Sequence, residues 1–323
     1  MPKLSRSLLA VVIALALPQC SREPVAVTAG KPLRIGIDLW AGYYPLVLAD
    51  DLGFLKAANV AVDIVTPQNT DRMLAEFAAH DYDAVCVSFA DVIIVTRAVP
   101  DLRIVLVSDE SSGADQILAD QPITSAAGLR GKRIGTNLGG FGELFVRRLL
   151  DKHGVSTGEV ELVNTDGARV PDLLSRKEID IGHTWEPYAS EARRRGMQAV
   201  FTSQETPNLI LDGLVFRGDT VAKRPDEVRN LVHAWFRAVE WWRQHPEEGD
   251  LRIEKRLKLL PGEARPVGIK VLDAAQNRAL MCGTGGEAPL AAGLQDSIDY
   301  FAARGLLLQR PDPLTLLFPG TLP

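Results

Sequence analysis

Three segments of the chain recur in the same order about a hundred residues apart. RIGID at 34–38 matches RIGTN at 133–137, an offset of 99. DIVT at 63–66 matches ELVN at 161–164, an offset of 98, and DAVCVSFAD from Asp83 matches DIGHTWEPY from Asp180, an offset of 97. Helical patterns fall between the landmarks in the same places, as in DRMLAEFAAHD against VPDLLSRKEID. The period is too long for a solenoid. Chance likeness between common βαβ units is the competing explanation, but three landmarks kept in order favour two similar lobes.

Between and beyond these landmarks, short β-branched runs alternate with helical patterns: LRIGID (33–38), VDIVTP (62–67), DAVCVSF (83–89), LRIVLVSD (102–109), QILAD (116–120), KRIGTN (132–137), VELVNT (160–165), IDIGHTW (179–185) and LVFR (214–217). Such alternation predicts an α/β fold with largely parallel sheets. The 323 residues suit two domains or lobes at roughly 100–200 residues each. After residue 217 the chain becomes mostly helical. In RPDEVRNLVHAWFRAVEWW, Pro225, Asp226 and Glu227 suit a first turn, and Val228, Leu231, Val232, Trp235, Val239 and Trp242 recur at helical spacing, so these aromatics are expected in the core. A Gly-rich break at 279–288 precedes a last amphipathic helix over 289–305.

Two lobes built from one repeated unit commonly enclose a cleft, and open parallel sheets bind ligands beyond the carboxyl ends of their strands. The strand exits are therefore the candidate site. They supply Asp38, Trp40, Tyr43, Ser88 and Phe89 from the first copy, and Asn137, Gly139, Gly140, Phe141, Thr184, Trp185, Glu186 and Tyr188 from the second; Asp212 joins them from the strand that returns. The loop GTNLGGFGELFVRR could offer backbone N–H groups at a helix N-terminus, or be a tight turn needing glycine torsions. Glu186 could line the cleft or cap the helix that begins near Pro187. His183 precedes its exit and is expected to be structural.

At the amino terminus, Lys3 and Arg6 precede the apolar run LLAVVIALAL, which reads as a signal peptide. Its ten residues fall short of the about 20 that span a bilayer. Leu17-Pro18-Gln19-Cys20 resembles a lipobox with Cys20 as the lipidated residue, although Gln19 departs from the small residue usual there; an ordinary signal peptide is the alternative. A lipid would hold the body at a membrane surface without spanning it. Loss of Lys3 and Arg6 moves the formal charge from −5 to −7 (34 basic against 41 acidic residues), which argues against nucleic acid as a partner. Cys86 and Cys282 are too few for a disulfide framework, and Cys86 in AVCVSF reads as a buried free thiol.

Motifs for covalent or metal chemistry are missing: HExxH, CxxC, the Walker loop and GxSxG are all absent. The five histidines stand apart, so no metal ligand set and no cofactor fingerprint is legible. Ser88 has no base nearby in sequence.

LRIGIDLWAGYYPLVLADDLGFLKAANVAVDIV resembles the amino-terminal lobe of the sulfonate-, taurine- and nitrate-type solute-binding proteins of ABC importers, within the thiamin-pyrimidine-binding-like superfamily. The likeness continues through SDESSGADQIL, AGLRGKRIGTNLGG, IGHTWEPY and LILDGLVFR, covering nearly all of the mature chain. It implies a bilobed type II periplasmic-binding fold with two mixed, mostly parallel sheets. The implied division is a signal peptide at 1–19, a tether at 20–30, first lobe at 31–112, second lobe at 113–212 and return at 213–323, with hinge strands near 109–117 and 209–216. It further implies that a ligand closes the cleft and that the closed monomer docks on a permease served by an ATPase, in the periplasm or cell envelope. The aromatic and acidic exits, which hold no Lys or Arg, favour an amine or nitrogen heterocycle, with a sulfonate-type anion as the alternative. Two other roles stay open: a lipoprotein feeding a membrane sensor, and a thiamin-pyrimidine or menaquinone pathway enzyme on this fold.

Overall fold

A computed structural model describes residues 31–283 and 288–323. The signal peptide, Cys20 and the tether lie outside the described residues, as does part of the Gly-rich break.

The repeat in sequence is a repeat in topology. In the first copy, β1 (Leu33–Gly36) lies between β2 (Val62–Val65) and β3 (Ala84–Ser88), all parallel. In the second, β6 (Arg133–Thr136) lies between β7 (Glu161–Asn164) and β8 (Ile181–Thr184), again all parallel. Matched aspartates fasten the matched strands. Asp83 Oδ2 accepts the Arg34 N–H at 2.8 Å, and Asp180 Oδ2 accepts the Arg133 N–H at 2.9 Å.

Four more strands complete the two sheets: β4 (Arg103–Ser111), β5 (Gln116–Ala119), β9 (Gln198–Thr202) and β10 (Leu211–Phe216), with the short β11 (Ile269–Val271) at one edge. The first sheet runs β11-β4-β10-β3-β1-β2 and the second β7-β6-β8-β5-β9. β10 runs antiparallel to β3 and β4, β11 to β4, and β5 to β8 and β9, so both sheets are mixed as expected but not mostly parallel: among the described residues four strand pairings are parallel and five antiparallel, because the crossing strands β5 and β10 each insert into a sheet against its direction. β3 and β10 are buried along their whole length; β3 accordingly reads as a continuous apolar run, while Asp212 and Gly213 shorten the apolar run of β10 to its second half. The edge strands β9 and β11 are half exposed and carry no such run, so the sequence pattern does not reveal them.

The helix Pro225–Gln244 begins on Pro225 with Asp226 and Glu227 in its first turn and buries Val228, Leu231, Val232, Trp235, Val239 and Trp242 against Tyr44, Leu46 and Leu48. The helix Pro289–Ala303 buries Leu290, Leu294, Ile298 and Phe301 with residues of β3 and β4. Both therefore belong to the first lobe.

The chain crosses between sheets twice, from β4 to β5 and from β9 to β10. Ser203 ties the crossings together: its Oγ lies 2.8 Å from Ser111 Oγ and accepts the Gly113 N–H at 2.6 Å, while its own N–H donates to the Asp115 carbonyl at 3.0 Å. Gly268 presses on the same place with φ +71°, and a Cβ there would stand 2.5 Å from Ala114 N. Among the described residues no helix is long and apolar enough to cross a membrane. Cys86 and Cys282 are both free thiols, the first buried and the second exposed.

Candidate functional site

The exits converge on a cavity of about 40 Å³ walled by both lobes. Asp212 on β10 stands opposite Ser88 of β3 on one side and Asp109 of β4 on the other, so three polar side chains form a row across the sheet. A register shift in β4 next to Asp109 interrupts the ladder, a common device beside a site. Trp40 Nε1 donates to Asp109 Oδ1 at 2.9 Å, Ser108 Oγ donates to Asp109 Oδ2 at 2.7 Å, and Tyr43 Oη donates to Asp212 Oδ2 at 2.6 Å. Gly42, between the two aromatics, allows this. A Cβ there would stand 1.7 Å from Asp109 Oδ2.

The second lobe contributes Phe141 and Trp185, with ring centroids 6.1 Å apart. Trp185 lies against Gly167, whose Cβ would stand 2.3 Å from the indole. Beneath these rings His183 is buried, its Nε2 3.2 Å from Asp115 Oδ1. Asp91, at the start of the helix Phe141 faces across the cleft (Phe89–Val95), bridges the lobes. Its Oδ1 accepts the Phe141 N–H at 3.1 Å and its Oδ2 accepts from Ser88 Oγ at 2.9 Å.

Of the residues expected from sequence, Asp38, Trp40, Tyr43, Ser88, Phe141, Trp185 and Asp212 line the cavity. The others do different work. Phe89 turns into the first-lobe core against Gly213. Thr184 is buried, its hydroxyl donating to the Gly167 carbonyl at 2.8 Å. Glu186 is an internal ion-pair and capping residue: Oε1 is 2.7 Å from Arg193 Nη2, and Oε2 accepts the Ser190 N–H at 3.0 Å. Tyr188 stands edge-on behind Trp185, centroids 6.2 Å apart. Asn137 Nδ2 donates to Asp71 Oδ1 of the other lobe at 3.1 Å.

The glycine-rich loop is likewise already engaged. Gly139, at φ +81°, donates its N–H to Glu143 Oε2 at 3.0 Å, and a Cβ on Gly140 would stand 2.6 Å from Asp91 Oδ1. The helix N-terminus that could hold a ligand anion holds the protein's own carboxylates. Sequence reasoning missed Asp91 and Asp115 as cavity residues. Asp91 stood in the quoted exit, but an acid in a first helical turn has an ordinary explanation. Thr70, which donates to Asp38 Oδ2 at 2.8 Å, lies on an element that no exit motif marks.

Burial sets the electrostatics. It pushes Asp91 up to about 6, against the bonds from Ser88 and Phe141 that favour the charged form. It pushes Asp109 up to about 7, opposed by Ser108 and Trp40. Asp212 is raised well above the carboxylate range, first by burial and then by the charge of Asp109. Burial, with Asp109 and Asp212, also holds the Cys86 thiol well above its ordinary value. None of the described residues lining the cavity is basic. Among the described residues no cluster of three or more ligating side chains could hold a metal ion.

A second contact ties the lobes together beside Phe141. Glu143 of the second lobe is buried and takes Arg304 Nε at 2.8 Å and Nη2 at 2.7 Å, with Tyr300 Oη at 3.3 Å. Both partners come from the first lobe, Tyr300 from the helix Pro289–Ala303 and Arg304 from its C-terminal end.

Two mixed α/β lobes joined by a double crossing, with a cavity where their strand exits meet, define the architecture of two-lobed binding proteins. Residues 40–249 match the NMT1/THI5-like family model, and the chain belongs to that family. A Brucella abortus chain described as a binding protein is 24% identical over 150 residues, which are 45% of this chain and 47% of the relative. The chain thus spans about half the length of that relative. A Bacillus subtilis chain described as an aliphatic sulfonates-binding protein is 26% identical over 225 residues, 68% of this chain and 67% of the relative. The alkanesulfonate-binding protein SsuA of Xanthomonas axonopodis pv. citri, solved with MOPS, shares the fold at a TM-score of 0.72 and 17% identity, over 90% of this chain and 99% of that one. The desulfurization enzyme DSZB also shares it, at a TM-score of 0.65 and 19% identity over 89% of this chain and 97% of the enzyme.

Proposed function

We propose that the chain is the extracytoplasmic solute-binding component of an ABC importer, capturing a small organic solute between its lobes and presenting the closed form to a permease served by an ATPase. The observation that carries this reading is the cavity itself. Its walls come from both lobes, so a solute held there stabilises the closed arrangement over the open one and makes closure report occupancy. The names of the sulfonate-binding relatives support the same role. In this reading the mature protein works as a monomer, held at the membrane surface by a lipid on Cys20. The aromatic and carboxylate lining favours an amine or a nitrogen heterocycle.

DSZB shows that the fold also hosts catalysis, so the choice of binding over catalysis rests on the site. Cys86 is the cavity's thiol. Burial and two neighbouring carboxylates disfavour its thiolate, the opposite of what a nucleophile needs. Deleting the gene should abolish high-affinity uptake of the solute that co-purifies with the protein, and re-expression should restore it. Unchanged uptake, or conversion of the solute by the purified protein, would refute the proposal.

A further inference from the structure

We propose that the cleft selects a small organic cation bearing N–H donors, anchored on Asp212 Oδ1, and that Asp91 excludes anions by occupying the N-terminus of the helix Phe141–Lys152. The inference rests on the cleft being a solute site and names the class of solute.

Three observations meet here. First, Asp212 is about nineteen-twentieths buried, with 5% exposure; Oδ2 is taken by Tyr43, while Oδ1 is buried with no hydrogen-bond partner. An unpaired buried carboxylate oxygen is costly, and Asp212 lines the cavity, so a donor arriving there would satisfy it. Second, two of the backbone N–H groups at this helix start are already held by the protein's own carboxylates. Phe141 N–H goes to Asp91 Oδ1 and Gly139 N–H to Glu143 Oε2. A sulfonate seeking the Phe141 N–H would have to displace Asp91, and would then face Asp38 and Asp115 with no basic residue among the described lining. Third, Trp40, Phe141 and Trp185 present rings around these carboxylates, the surroundings that favour a cation. The cavity of about 40 Å³ has room on the order of three water molecules, which fits an ammonium or amidinium head.

Binding such a cation should release a proton. The groups facing Asp212 are Tyr43 from the turn after β1, Cys86 and Ser88 from β3, Asp91 from the helix that follows, Asp109 from β4 and Asp115 from the crossing. Burial raises Asp109 to about 7 and Asp212 well above the carboxylate range, so an arriving cation favours ionisation of this pair and the loss of a proton from it.

The test is calorimetry on the dialysed protein with n-butylammonium, benzamidinium, butyltrimethylammonium and ethanesulfonate. The two N–H cations should bind, butyltrimethylammonium should bind more weakly than butylammonium, and ethanesulfonate should not bind. Affinity for butylammonium should rise between pH 5 and pH 8. Asp212→Asn keeps an acceptor for Tyr43 and should lose roughly ten- to hundredfold in butylammonium affinity, the worth of a charge-assisted hydrogen bond, without lowering the melting temperature. Asp91→Ala should gain ethanesulfonate binding by freeing the helix N-terminus. Tight ethanesulfonate binding by the unaltered protein, or undiminished butylammonium binding by Asp212→Asn, would overturn the cation assignment while leaving solute capture standing. Failure of every probe would also overturn it, and the uptake experiment would then judge the importer reading separately.

Discussion

Replacing Asp91 by asparagine keeps an oxygen for the Phe141 N–H and removes a charge from the interlobe boundary. The carboxyl sits at about 6 in the folded protein against an ordinary 3.8, so its charged form is disfavoured by about 3 kcal/mol. The sign follows from proton binding. Between about pH 4 and pH 6 the folded form holds more protons than the unfolded chain, so stability is lost as pH rises through that window. At pH 8 the whole penalty is present in the native protein and absent from Asp91→Asn. The variant should therefore melt roughly 6–12 °C higher at pH 8, at the ~2–4 °C per kcal/mol of mid-sized domains, and near the native value at pH 4. Differential scanning fluorimetry across pH 4–8.5 on ligand-free protein reads this directly. A variant that melts lower at pH 8, or gains equally at every pH, would refute the burial argument.

Three further perturbations probe the walls of the cleft. Glu143→Gln removes the charge that holds Arg304 across the lobes, and should shift the ligand-free protein toward the open form by about tenfold, seen as a larger radius of gyration in solution scattering. Gly42→Ala drives a methyl into Asp109 and should cost about 1–3 kcal/mol, read as a lower urea midpoint. Trp185→Ala removes a cavity wall and should weaken ligand binding by roughly tenfold while the fold survives, because the indole is a half-buried lobe-2 residue rather than a core layer.

The repeat carried most of the fold into view. The match of RIGID with RIGTN disclosed two similar lobes, while the strand order within each, and the antiparallel strands inserted beside β3 and β8, came from the structure. Of the four edge strands, β2 and β7 were visible as the β-branched runs VDIVTP and VELVNT, whereas β9 and β11, three to five residues long, lack such a run and escaped. The site was legible in part for a similar reason. Exit position found Trp40, Tyr43, Phe141 and Trp185, since the ends of strands follow from the pattern. It could not say which way Thr184 points, because one residue along a strand reverses the face, nor Phe89, which begins the helix after β3 and turns with it. Nor could it find the partners: that Glu186 meets Arg193, seven residues on, and that Asp91 meets the Phe141 N–H, fifty residues on, are outcomes of packing.

Native mass spectrometry of the protein purified from the cell envelope tests the central claim most directly. The account predicts one small solute per chain, held without a covalent bond, released unchanged on denaturation and carrying a protonated nitrogen. A sulfonate or other anion in its place would contradict the proposed selectivity, and a covalent adduct or a converted product would contradict binding as the function.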